Sequence, residues 1–275
     1  MNTFFALSVF ILGTIVGSFL NVVILRYNTG VSFFSGRSFC PSCGKKLSWY
    51  ELVPIVSFFV LRRKCAGCGS KISWQYPLVE LATGLLFLST LYALRSTLFF
   101  DIYYLLSTIY YLLIWSILIV ISVYDLRHKI IPDLLVFLFA GLSLAYLVVS
   151  TGWGNILHAP YYWDFLAGPL FALPFAALWF FSHGRWMGLG DAKLALGIGW
   201  FLGLIKGGSA IILGFWMGAI VGLALVGISK LSIAKRFHSN YGLKSEIPFG
   251  PFLILGAIIA FFFNINVFDL GFIVF

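Results

Sequence analysis

Two aspartates stand where a strongly apolar chain has most reason to avoid charge. Asp125 closes one long hydrophobic run in Ser122-Val123-Tyr124-Asp125-Leu126-Arg127, and Asp191 opens another in Gly188-Leu189-Gly190-Asp191-Ala192-Lys193. The chain holds only nine Asp and Glu residues. An ionisable group at membrane depth is costly and tends to line a cavity or pathway. Two carboxylates brought together can share a proton and activate water for attack on a carbonyl. Each aspartate also has a structural alternative. Asp125 lies at a helix C-terminal end, where negative charge is disfavoured, and could pair with Arg127 or Lys129. Asp191 could cap a helix, but a cap does not need Gly188 and Gly190, which imply a tight turn or a close approach. Asp133, after Pro132, falls in the first turn of the next helix and reads as structural.

The second chemical group is a set of four cysteines, the only ones in the chain: Cys40-Pro41-Ser42-Cys43-Gly44 and Cys65-Ala66-Gly67-Cys68-Gly69. Two C-x-x-C-G knuckles separated by about 20 residues have the spacing of a tetrahedral Cys₄ zinc site. The glycine after each pair permits the turn that aims both sulfurs at one metal. Two disulfides are the alternative, and a reducing cytoplasmic compartment argues against them. A segment this small has too little core to fold unaided, so the expected metal is a structural staple.

These residues must be positioned by a polytopic α-helical membrane protein. The chain is 61% hydrophobic and 10% charged, more apolar surface than a soluble domain of this length can hide. The runs are continuous, without the alternation of a membrane β-barrel. About eight spans are expected, near Phe4–Leu25, Pro77–Leu94, Ile102–Tyr124, Ile131–Ser150, Phe165–Ser182, Asp191–Ile205, Ser209–Ser229 and Phe249–Phe263. The sixth is short and glycine-rich. The first run has no positive charge before it and Arg26 after it, so it reads as a span and not as a cleaved signal. The expected division is a first helix over 1–25, a zinc domain over 26–76 and a helix bundle over 77–275.

Basic residues suggest the orientation. With the N-terminus outside, the segments 26–76, 125–129, 183–193 and 230–247 face the cytoplasm and hold sixteen of the eighteen Lys and Arg residues, leaving Arg95 and Lys206 outside. The net charge of +9 is then a topology and membrane-surface signal, with the lipid bilayer as partner and no nucleic acid. Both aspartates and the zinc domain fall on the cytoplasmic side.

With these motifs in view, the chain resembles the bacterial type IV prepilin peptidases, bifunctional leader peptidase/N-methyltransferases of pilus and type II secretion systems. The resemblance rests on Gly17-Ser18-Phe19-Leu20-Asn21-Val22-Val23-Ile24 with Arg26, the two C-x-x-C pairs, Tyr76-Pro77-Leu78-Val79-Glu80-Leu81-Ala82-Thr83-Gly84, Asp125 through Ile131-Pro132-Asp133, Gly188-Leu189-Gly190-Asp191, and Pro248-Phe249-Gly250-Pro251. It implies an aspartic endopeptidase of the bacterial inner membrane with Asp125 and Asp191 as catalytic residues. The substrate would be a type IV prepilin or pseudopilin whose basic leader is cut off after a glycine. It further implies N-methylation of the new N-terminus from S-adenosylmethionine, although no glycine-rich soluble methyltransferase fingerprint is present. Gly188, Gly190, Lys193, Asn21, Arg26, Glu80 and Gly250 would support the motifs. Glu80 and Arg26 are expected either to pair or, for Glu80, to serve the leader or methyl transfer. The rival readings are a proton-coupled transporter using the aspartates as a relay, an assembly scaffold, and a peptidase without methyl transfer.

Overall fold

The computed structural model describes residues 3–94, 102–152, 154–155, 158–159, 161–230 (backbone only for 228–230) and 247–267. Arg95, most of the 230–247 connection with Glu246, and the end of the apolar tail lie outside the described residues. Among the described residues eight α-helices follow in order: α1 Thr3–Arg26, α2 Val56–Val60, α3 Gln75–Ala93, α4 Ile102–His128, α5 Asp133–Thr151, α6 Tyr161–Ser182, α7 Leu189–Lys230 and α8 Gly250–Phe263. No strand occurs among the described residues; two isolated β-bridges lie between α1 and α3. Two compact units are distinguished, 1–120 and 121–275.

Among the described residues six helices are long and apolar enough to cross a membrane, with α8 a shorter apolar helix of 14 residues. The protein is an all-α, multi-pass membrane protein. The expected sixth and seventh spans prove to be one helical run, α7, broken at Gly203, whose φ of 74° and ψ of −173° are non-helical. The short helix α2 was not expected. Helix α4 runs on to His128, so Asp125 lies in its last turn and not at its final residue.

In the first unit, α1 packs along α3 through glycines. A Cβ on Gly13 would stand 2.7 Å from Gly84 Cα, and one on Gly17 2.7 Å from Glu80 Cα. Helices driven together in lipid rely on such small residues, because apolar surface alone gives no preference for protein over lipid.

In the second unit, α7 is the hub, packing on α5, α6 and α8. Its glycines admit neighbours: a Cβ on Gly199 would lie 2.6 Å from Ala167 O, and one on Gly214 3.1 Å from Leu253 Cα. Helix α6 contains Pro169, which cannot donate to the carbonyl four residues earlier. Trp200 of α7 supplies the missing donor, its Nε1–H reaching Phe165 O at 2.9 Å. The same indole lies over Gly168, where a Cβ would overlap it. At the break in α7, the freed Leu204 N–H donates to Asp164 Oδ1 at 3.0 Å. Irregular backbone at membrane depth persists only when its polar groups are satisfied internally, and Asp164 does that here.

Candidate active site and metal centre

Asp125 and Asp191 both belong to the second unit, and both are buried, 4% and 8% exposed. Each meets the start of a helix. The Gly250 N–H, first in α8, donates to Asp125 Oδ2 at 3.1 Å. Asp191 is the third residue of α7; its backbone N–H donates to Gly188 O at 3.2 Å, and its carboxylate accepts from the Gly188 backbone N–H. That reciprocal pattern is the carboxylate half of a capping box. Both carboxylates thus sit at the partially positive end of a helix.

Ile131 joins the two positions. A Cβ on Gly190 would come within 2.8 Å of Ile131 Cβ, and one on Gly250 within 3.2 Å of Ile131 Cδ1 and 2.8 Å of Asp125 Oδ2. Only glycine at 190 and 250 lets the helix starts close on Ile131 and on the Asp125 carboxylate. Of the two glycines before Asp191, Gly190 makes the close approach; neither has a positive φ.

The alternative salt bridge of Asp125 with Arg127 or Lys129 does not form: the ion pairs among the described residues are Lys45–Glu51 and Lys193–Asp133. Asp133 is the first residue of α5, as its structural reading required. Lys193 Nζ donates to its Oδ1 at 2.6 Å and lies 4.9 Å from the Phe137 ring centroid. The pair ties the start of α5, and with it Ile131, to the first turns of α7.

Asp164 was missed in the sequence. Its signal was the one used for the other two aspartates, an acid beside an apolar run. Placing the fifth span's start at Phe165 put it in a loop.

In the first unit, Cys40, Cys43, Cys65 and Cys68 are free thiols whose Sγ atoms lie within 4.8 Å of one another. The knuckles repeat one design. Cys40 O accepts from Gly44 N–H at 2.8 Å and Cys65 O from Gly69 N–H at 2.9 Å; the glycines have φ of 70° and 71°. Bridges Phe39–Lys46 and Lys64–Lys71 close the two turns. The backbone N–H of Ser42 and then the Ser70 hydroxyl hold the Cys40 thiol down at about 6, and Ser70 also lowers Cys68. Four sulfurs gathered in one cluster fit a tetrahedral metal ion.

Glu80 and Arg26 do not pair. Glu80 is buried, and its Oε2 accepts from Ile55 N–H at 2.7 Å. Arg26 donates to the carbonyls of Ser32, Ser35 and Arg37. Proximity of two helix ends did not reveal that the chain between them needed both side chains for its own backbone groups. Asn21, 1% exposed, donates to Tyr76 O at 3.2 Å and accepts from Gln75 Nε2 at 3.2 Å, tying α1 to the start of α3.

Two family models match the chain: the bacterial peptidase A24 N-terminal domain over residues 11–94 and the type IV leader peptidase family over residues 111–223. Relatives named prepilin leader peptidase/N-methyltransferase include the following three. That of Bacillus subtilis is 32% identical over 258 residues, 93% of each chain. That of Stutzerimonas stutzeri is 31% identical, covering 93% of this chain and 90% of its own. That of Myxococcus xanthus is 38% identical over 144 residues, 52% of this chain and 41% of its own. No solved structure matches. A relative above 30% identity, aligned nearly end to end, leaves one conclusion: the chain belongs to the bacterial type IV leader peptidase family.

Proposed function

We propose that this protein removes the basic leader from type IV prepilins or pseudopilins, cutting after a glycine, and N-methylates the new N-terminus. Asp125 and Asp191 are the catalytic residues. One ionised carboxylate takes a proton from water as it attacks the scissile carbonyl. The other, protonated, hydrogen-bonds the carbonyl oxygen and later returns a proton to the leaving amine. The pair titrates as a unit. The single observation that carries this reading is the convergence of two buried aspartates on Gly190, Ile131 and Gly250. A transporter finds no support among the relatives.

Cys40, Cys43, Cys65 and Cys68 hold a structural zinc ion, which cross-links the two knuckles. S-adenosylmethionine supplies the methyl group. The N-terminus faces outward, and both the aspartates and the zinc module lie on the cytoplasmic side.

The test is mass spectrometry of a pilin co-expressed with this protein. Asp125→Asn and Asp191→Asn should each lower leader removal by at least about a thousandfold while the variant stays in the membrane, since an Asn neither gives nor takes the proton. Substantial cleavage by either variant removes that residue from the mechanism. An added methyl group on the wild-type product separates a bifunctional enzyme from a peptidase alone.

A further inference from the structure

The segment joining α1 to α3 holds seven basic residues and one acidic residue, Glu51. Glu51 is buried and already paired with Lys45 at 2.9 Å. The segment therefore presents a net positive surface, even after the two negative charges of a zinc tetrathiolate are counted.

Its position against the helices is fixed at two points. Arg26, ending α1, binds three carbonyls of residues 32–37. Glu80, in the second turn of α3, binds the Ile55 N–H directly before α2. Ile55 has a φ of 62°, costly for a β-branched residue and sustained here by that bond. Helix α2 is therefore held level with the first turns of α3, a helix long and apolar enough to cross a membrane.

The exposed residues there are both apolar and basic. Phe59 is 59% exposed and Val60 73% exposed. Trp74, immediately before α3, packs on the Phe58 ring at 4.9 Å, and the Arg63 guanidinium lies 5.6 Å from its centroid. Arg62, Arg63 and Lys64 follow α2 and are all exposed. Amphipathic segments with aromatic and aliphatic residues beside Lys and Arg lie in the interfacial plane, and each basic residue near an anionic leaflet contributes roughly a fivefold preference.

We propose that α2 and the turn after it form a membrane-surface anchor, with Phe59, Val60 and Trp74 in the interfacial zone and Arg62, Arg63 and Lys64 on anionic phospholipid headgroups. Charge complementarity chooses the occupant: an acidic protein partner would satisfy the basic residues but not their placement at interface depth. Given the proposed function, the anchor also removes a difficulty, since a basic leader would be repelled by an unneutralised basic module.

The test is hydrogen exchange of the full-length protein in nanodiscs of phosphatidylcholine alone and of phosphatidylcholine with phosphatidylglycerol. The amides of Leu61, Arg62, Arg63 and Lys64 are hydrogen-bonded, so their exchange reads local opening. They should exchange at least about tenfold more slowly in the anionic discs, a difference that about 0.5 M salt should reduce. The triple variant Arg62→Gln/Arg63→Gln/Lys64→Gln should lose the difference while the Gly44 and Gly69 amides stay protected, which shows that the knuckles remain folded. Equal exchange in the two discs overturns the proposal, as does a difference that survives in the triple variant. The readout needs no catalysis, so its failure is distinct from failure of the peptidase assignment.

Discussion

The four cysteines and the two aspartates are gathered by opposite means. Each cysteine pair is positioned by a turn of five residues, so its geometry is local, and one cysteine of each pair, Cys43 and Cys68, is exposed. The aspartates come from separate helices, and what joins them is an isoleucine seated against two glycines. In the first case a short sequence suffices, and a metal held by the four sulfurs would add the long-range link. In the second the whole packing of α4, α5, α7 and α8 has to be right. The first should therefore be sensitive to ligand chemistry and tolerant of bulk nearby. The second should be sensitive to single methyl groups.

The largest expected effect short of removing an aspartate is on the cysteine side. Cys65→Ser, or a strong chelator, should release the metal and make residues 26–76 susceptible to protease, because zinc contributes on the order of 10 kcal/mol to such modules. Metal content and limited proteolysis measure this, and retention of both structure and metal by the variant would break the contrast. Next come the methyl groups. Gly250→Ala places a carbon 2.8 Å from Asp125 Oδ2, and Gly190→Ala one 2.8 Å from Ile131 Cβ. Each should cost about 1–3 kcal/mol of stability and lower leader cleavage much more than alanine at Gly141 of α5, where nothing lies within 4 Å.

Smaller again is the Lys193–Asp133 pair, whose aspartate side chain is 68% exposed. Lys193→Gln or Asp133→Asn should alter stability by roughly 0.2–1 kcal/mol in a thermal melt, with partial recovery in the charge-reversed double variant. The smallest effect is a pH dependence at Glu51. Its hydrogen bond from Lys45, then that from the Ser48 N–H, holds its pKa below the ordinary carboxylate value. Because the folded value is the lower one, its contribution is present above the unfolded pKa and is lost as pH falls through the depressed one. Exchange protection of residues 48–52 should show that acid limb in the wild type, and Glu51→Gln should flatten it.

What the sequence disclosed follows the same division. The knuckles, their glycines and the free thiols were readable because every determinant lies within a few residues. Span positions were readable from hydrophobic length alone. The roles of Gly190 and Gly250 were visible only as motif membership, since nothing local says that Ile131 will occupy the missing side chains. The Gly203 break was foreshadowed by the glycine-rich sixth span, but its partner Asp164 depends on how α6 packs against α7. The same limit produced the wrong pairing of Glu80 with Arg26: charge at two helix ends suggested an ion pair, while the intervening backbone held the stronger claim.

Pro169, Gly168 and Trp200 form a set that cannot drift independently. The proline leaves a carbonyl without its usual donor, the indole repairs that loss, and the glycine makes room for the indole. Phenylalanine at 200 would fill the space and leave the oxygen orphaned in lipid. Alanine at 168 would evict the ring and orphan it as well. Evolution must therefore change these three positions together or leave them alone, although none of them belongs to the aspartate pair or the cysteine cluster.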